Sequence, residues 1–200
     1  MNKDSKHFIE ENYRNLLLEY GSGPEVGQWS AEGQLFRFEK LIQIGNLRGN
    51  RVLDLGCGIG DLYPYLLERF ENIDYTGIDI VPELVEYAAN RYRTTKFLCC
   101  DILRDEINSM FDYVLISGMF NNNIPKCTDF LKKMISVAFK YTIKGLSFNF
   151  ISTHVNCRGP EMAYHDPVGI FDFCLTKLAK KVTIHHHYER CDVAIFVYKG

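Results

Sequence analysis

Polar and apolar positions follow two rhythms along the chain. Ahead of residue 48 the spacing is helical. "KHFIEENYRNLLLEYG" sets Ile9, Tyr13, Leu16, Leu17 and Tyr20 on one face, and Gly21 closes that helix. "GSGPEVGQ" has the glycine and proline content of a loop. Ser30 then caps a second helix with Leu35, Phe38, Leu41 and Ile42 along its apolar side. From residue 51 short apolar runs alternate with helical stretches. "RVLDLG" predicts a first strand, and a helix runs from Leu62 to about Phe70, with Pro64 in its first turn where a missing N–H costs little. "DYTGID" is a second strand, "PELVEYAANRY" a helix opened by Pro82, and "TKFLCCD" a third strand. "FDYVLISG" is a fourth, apolar enough for burial on both faces of a parallel sheet. "TDFLKKMISVAFKY" is a helix opened by Thr128, and "GLSFNFIS" a fifth strand. After a long loop, "PVGIFDFCLTKLAKK" is helical, and "KVTIHHHY" and "CDVAIFVYK" end the chain as an antiparallel pair separated by "ERC" or so.

This alternation predicts an α/β fold: a doubly wound, seven-stranded, mostly parallel sheet with an antiparallel last strand and helices on both faces. Residues 1–200 read as one domain. Ligands of such sheets lie beyond the carboxyl ends of the strands, where the strand order reverses. That rule gathers the tips of the first four strands into one crevice.

Composition narrows the classes. Hydrophobic residues are 46% and charged residues 24%, as in ordinary globular proteins. Twenty-three basic residues stand against 25 acids, for a net charge of -2, which predicts no general attraction for nucleic acid or an anionic membrane. No apolar run approaches the ~20 residues that a membrane span needs. "MNKDSKHFIEEN" lacks the apolar stretch of a secretory signal. Seven cysteines, an odd number without a C-x-x-C pair, read as reduced thiols of a cytoplasmic protein.

Gly56, Gly58 and Gly60 stand at the carboxyl end of the first strand, where glycine permits a tight turn and close approach of a ligand to the main chain. A dinucleotide fingerprint, G-x-G-x-x-G, fails here: counted from Gly56 its last place holds Asp61, whose carboxylate repels a diphosphate at a helix N-terminus. The chain reads D-x-G-x-G-x-G from Asp54 to Gly60 instead.

"VLDLGCGIGDL" resembles the first motif of the class I S-adenosylmethionine-dependent methyltransferases, and "YTGID", "CCDIL" and "FDYVLISG" follow in that family's order. The resemblance implies a Rossmann-like fold with S-adenosylmethionine as cofactor. It divides the chain into an N-terminal helical cap (1–47), a cofactor-binding core (48–150) and a substrate loop with the final strands (151–200). It places Asp54, Gly56, Cys57, Gly58 and Gly60 in the glycine turn, and Asp79 with Ile80 at the ribose hydroxyls. A carboxylate can accept both hydrogen bonds of a vicinal diol. Asp101 and Ile102 fall beside the adenine, and Ser117 and Gly118 border the methyl-transfer pocket. In the preceding segment Arg37 is expected to pair with the cofactor's carboxylate, and Trp29 or Tyr20 to face its sulfonium.

Candidates for the acceptor side are fewer. His154 and His165, in the loop after the fifth strand, are candidate general bases, with Asp166 beside them to orient a neighbour. Asn121, after "SGMF", is a candidate hydrogen-bonding group for an acceptor. His154, Cys157 and His165 match no compact zinc spacing, and His185, His186 and His187 alternate faces along a strand, so no metal site is assigned. The resulting expectation is methyl transfer to a small-molecule acceptor. An RNA or protein acceptor, or a silent S-adenosylmethionine-binding protein, are the alternatives. A nucleic-acid acceptor is disfavoured because the Asn/Asp-Pro-Pro-aromatic motif of amino-group enzymes is replaced here by "SGMFNN".

Overall fold

A computed structural model describes residues 3–187 and 191–200 of the chain. Seven strands form one sheet: β1 Arg51–Leu55, β2 Asp74–Asp79, β3 Lys96–Cys99, β4 Phe111–Ile116, β5 Thr142–Ile151, β6 Val182–His187 and β7 Asp192–Tyr198. Their order is β3-β2-β1-β4-β5-β7-β6. The first five pair in parallel, whereas β7 runs antiparallel to both β5 and β6. From β1 the chain steps outward to β2 and β3, then returns to β4 on the other side. The carboxyl ends of β1 and β4 therefore flank the point where the order reverses, and a crevice opens there.

Among the described residues six α-helices accompany the sheet: α1 Lys3–Tyr20, α2 Ala31–Leu41, α3 Leu62–Leu67, α4 Pro82–Arg91, α5 Cys127–Lys140 and α6 Pro167–Lys177. Strand alternation sorts the core into two layers. Leu53, Ile116, Phe148 and Ile195 pack with Leu131 and Ile135 of α5 and Ile170 of α6. Val52, Leu115 and Phe196 face the opposite way, onto Phe38 of α2 and Leu62 and Leu66 of α3. Helix α1 belongs to neither layer alone: Ile9 joins the first core, while Tyr13 and Leu17 pack against Val26, Val81 and Leu84.

Local details depart from the sequence reading at several points. "GSGPEVGQ" contains a 3-10 turn over Pro24–Gly27. The third helix stops at Leu67, and the N–H groups of Arg69 and Phe70 turn back to the Leu66 carbonyl. Helix α5 starts at Cys127 behind Lys126 in the left-handed region (φ 59), so Thr128 lies inside its first turn and does not cap it. Leu35 is on the solvent side of α2. Of the turn read between the last two strands, "ERC", Glu189 and Arg190 lie outside the described residues. All seven cysteines are free. Among the described residues no helix is long and apolar enough to cross a membrane.

Candidate active site

The glycine turn is anchored first. Gly56 and Cys57 both donate their N–H groups to the Ile78 carbonyl, at 2.7 and 3.0 Å, which folds the end of β1 across β2. Gly56 takes φ 79, and a Cβ there would lie 2.6 Å from Met119 Cε. A Cβ on Gly58 would meet nothing within 4 Å, because that residue faces the open cleft. The Gly58 N–H donates to Asp79 Oδ2 at 2.9 Å, and the Val81 N–H donates to Asp79 Oδ1 at 3.0 Å. Each carboxylate oxygen keeps acceptor capacity for one hydroxyl of a diol. Burial pushes the Asp79 pKa up, opposed by those backbone N–H groups.

Two further acids line the same cleft. Asp101 Oδ1 accepts the Leu103 N–H at 3.1 Å, and Lys6 Nζ stands 3.7 Å from its Oδ2. Asp54 is 2% exposed, and its Oδ2 accepts the Tyr75 hydroxyl at 2.7 Å. Burial pushes the Asp54 pKa up to about 7; the Tyr75 bond opposes the rise, and the charges of Asp79 and Asp61 add to it.

Most residues expected around a cofactor converge on this cleft: Asp54, Gly56, Cys57, Gly58, Asp79, Ile80, Asp101, Ile102, Ser117, Gly118 and Trp29. A nucleoside with a diol, an adenine edge and a cationic amino-acid end fits this set of acids and bare backbone. Gly60 has a different task. A Cβ there would sit 3.0 Å from the Phe97 ring, so it lets the start of α3 approach β3.

Arg37 is not among the residues that line the cleft. Its Nη2 lies 2.6 Å from Asp192 Oδ2, its Nη1 donates to the Gly33 carbonyl at 2.8 Å, and the guanidinium stacks 3.7 Å from the Trp29 ring centre. The expected cofactor carboxylate thus meets a cation already neutralised by Asp192. Trp29 reaches the cleft, packed edge-on against Gly118, but one face of its indole is taken by Arg37. A ring already polarised by one cation is a poor platform for a second.

The acceptor-side candidates also move. The His165 ring is buried, with Nδ1 bonded to Thr128 Oγ1 at 3.0 Å and Nε2 to the Phe120 carbonyl at 2.9 Å. Burial holds its pKa below the ordinary value. With both nitrogens engaged, the ring ties the long loop to α5 and has none left for a substrate proton. His154 is exposed, 6.0 Å from the His186 ring and away from the cleft wall. Asp166 caps α6, accepting the N–H groups of Val168 and Gly169. Asn121 is buried behind the wall, and its neighbour Asn122 is the one that lines the cleft. His186 hydrogen-bonds Ser152 Oγ at 2.9 Å while remaining on the surface. Among the described residues no three His, Cys, Asp or Glu side chains converge as a metal set.

Helix α1 forms one wall of the cleft. Ile9 and Tyr13 line the cleft, and the Tyr13 hydroxyl accepts from Asn122 Nδ2 at 3.0 Å. The i, i+4 pattern that marked Tyr13 as buried is equally the pattern of a helix closing a cleft. Asp61, read only as a mismatch, joins three elements: Gln34 Nε2 donates to its Oδ2 at 3.1 Å and Arg91 Nη1 to its Oδ1 at 2.7 Å.

A family model described as a methyltransferase domain matches residues 52–139. The "Putative methyltransferase Rv1506c" of Mycobacterium tuberculosis is 32% identical over 157 residues, covering 74% of this chain and 92% of that protein. A trans-aconitate 2-methyltransferase of the same organism is 41% identical over 54 residues, 27% of this chain and 21% of its own length. Among solved structures, magnesium protoporphyrin IX methyltransferase from Synechocystis PCC 6803, with bound S-adenosylmethionine, superposes with TM-score 0.69 at 19% identity over 100% of both chains. Matched motifs, strand order and the acids of the cleft agree: the chain belongs to the class I S-adenosylmethionine-dependent methyltransferases.

Proposed function

We propose that this chain methylates a small molecule, held between the glycine turn and α1. The observation that carries this reading is the way α1 roofs the cleft. Arg14 Nε pairs with Glu83 at 2.5 Å, Lys6 with Asp101 at 3.7 Å, and Tyr13 with Asn122 at 3.0 Å. A folded RNA or a protein segment needs an open platform beside the transferring carbon, and α1 covers that side of the cleft instead. The net charge of -2 agrees, since it offers no general attraction for a phosphate backbone.

When bound, S-adenosylmethionine supplies an electrophilic methyl group on a cationic sulfur. Asp79 would hold the ribose hydroxyls and Asp101 the adenine edge. The main chain at Gly56 and Gly118 would define the floor beneath the sulfur. Tyr13 and Asn122 fix one wall of the approach. With His165 locked in structure and His154 outside, the residues at the cleft position and desolvate the reactants. Alignment of this kind supplies much of the acceleration of a displacement.

The test uses the full chain with methyl-labelled S-adenosylmethionine, offered in parallel a metabolite extract, total RNA and a protein fraction. Label is expected in the small-molecule fraction alone. Label in RNA or protein refutes the acceptor class. Asp79→Asn is expected to weaken S-adenosylhomocysteine binding by roughly tenfold to a hundredfold, the range for a charged hydrogen-bonding group.

A further inference from the structure

Behind the cleft wall lie polar groups that the cofactor reading does not use. Asn121 follows β4 and Asn149 lies in β5, and they are 5% and 2% exposed. Among the described residues neither the oxygen nor the nitrogen of the Asn121 carboxamide has a hydrogen-bond partner, and Asn149 Nδ2 has none either. Buried polar groups in native proteins are nearly always satisfied, so two such residues tied to the same stretch of the cleft wall point to a partner that arrives from outside.

Both hang on one residue of the cleft wall. The Gly118 N–H donates to Asn149 Oδ1 at 2.7 Å, and the Asn121 N–H donates to the Gly118 carbonyl at 3.4 Å. Gly118 is also where Trp29 packs, since a Cβ there would lie 2.7 Å from Trp29 Cζ2. In the β5–β7 register Asn149 opposes Ala194 and Ile151 opposes Asp192, which turns Asn149 and Asp192 to the same face of the sheet. The buried Arg37–Asp192 pair therefore borders the same region, with Trp29 at its mouth.

We infer that Asn121 and Asn149 form a recognition subsite for the methyl acceptor, one that takes a neutral group able both to donate and to accept a hydrogen bond, such as a hydroxyl or a carboxamide. This rests on the small-molecule reading above. An amide nitrogen donates and an amide oxygen accepts, so a group with both capacities satisfies the pair. The charges of Arg37 and Asp192 cancel each other. A carboxylate or an ammonium ion entering the subsite loses its hydration and finds no counter-charge. Trp29 has to turn aside for the ligand to reach the amides.

Trp29 is the single tryptophan of the chain, so its fluorescence reports that movement. The experiment titrates the full chain, with and without S-adenosylhomocysteine, with benzyl alcohol, benzamide, benzoate and benzylammonium. Trp29 emission and the side-chain amide resonances of Asn121 and Asn149 are followed together. The two neutral probes are expected to shift both amide pairs and to bind at least about tenfold more tightly than the ions, the effect of stranding a charge without a partner. Asn121→Leu, which replaces an unpartnered amide by an apolar side chain of similar size, is expected to lose that preference, keep its affinity for S-adenosylhomocysteine and melt no lower than the parent. Equal binding of the ions, amide signals that no probe moves, or a clear drop in the melting temperature of Asn121→Leu overturns the inference. Failure of S-adenosylhomocysteine to bind, with the neutral probes still selected, removes the methyl-transfer reading and leaves the subsite standing.

Discussion

Asp54 shows how one buried acid sets a pH dependence. In the unfolded chain it ionises near the ordinary carboxylate value of about 4. In the fold burial holds its proton until about 7. Between those values the native state binds more protons than the unfolded state, so stability falls as pH rises, and the loss is complete once pH exceeds the folded value. Each pKa unit is worth about 1.4 kcal/mol, which makes the swing on the order of a few kcal/mol. Asp54→Asn keeps an oxygen for the Tyr75 hydroxyl and removes the titration. Urea unfolding of the variant is expected to show a shallower decline in stability than the parent between about pH 4 and about pH 7, the remaining slope belonging to groups such as Asp79. Parallel slopes in the two proteins assign the dependence to other groups. A second prediction concerns Gly118, at φ 72 with the Trp29 ring where a Cβ belongs. Gly118→Ala is expected to cost about 1–3 kcal/mol through backbone strain, and to change the Trp29 emission as the indole is pushed off. An unchanged spectrum would mean that the ring packs elsewhere.

At the scale of elements, α1 is held differently from its neighbours. It has no strand pairing, and among its ties are ion pairs, of which the exposed Arg14–Glu83 pair is the one that salt screens. Its amides are expected to exchange faster than those of β1 and β4, and to slow when S-adenosylhomocysteine occupies the cleft beneath it. Protection that appears in the glycine turn but not in α1 would mean the helix is no roof. Element type was legible where burial alone fixes the pattern. "FDYVLISG" reads as a buried strand because both sheet faces are covered, and the alternation of strand and helix gave the sheet its class. Tertiary contacts decided the rest. Thr128 looked like a cap and instead bonds His165, a residue of the long loop that no spacing rule connects to it. The acids Asp54, Asp79 and Asp101 were legible because strand tips converge by topology. The partners of Arg37 and His165 were not legible because a charged or basic residue announces its chemistry in sequence but not its partner.

For the whole molecule, a tie of long reach is Arg37–Asp192, joining α2 near the start of the chain to β7 near its end. Both side chains are about nine-tenths buried, at 10% and 6% exposure. Such a pair gives up most of its hydration on folding, so its net contribution is small while the cost of breaking it is large. Asp192→Ala leaves the Arg37 charge buried beside Trp29 without its carboxylate, and is expected to cost about 3–5 kcal/mol in denaturant unfolding. Replacing both, as Arg37→Met with Asp192→Leu, removes charge and counter-charge together, and is expected to recover most of that loss. The coupling between the two positions then exceeds the few tenths of a kcal/mol seen for independent sites. If the double variant is as unstable as the sum of the single changes, the pair is not a unit, and the N-terminal helices are fastened to the sheet by their apolar contacts, Phe38 foremost. The coupling also reaches the cleft, because Arg37 carries Trp29 on its face. Asp192→Ala is therefore expected to shift the emission of Trp29 in the folded protein, whereas a variant that merely weakened the sheet would leave the native spectrum as it was.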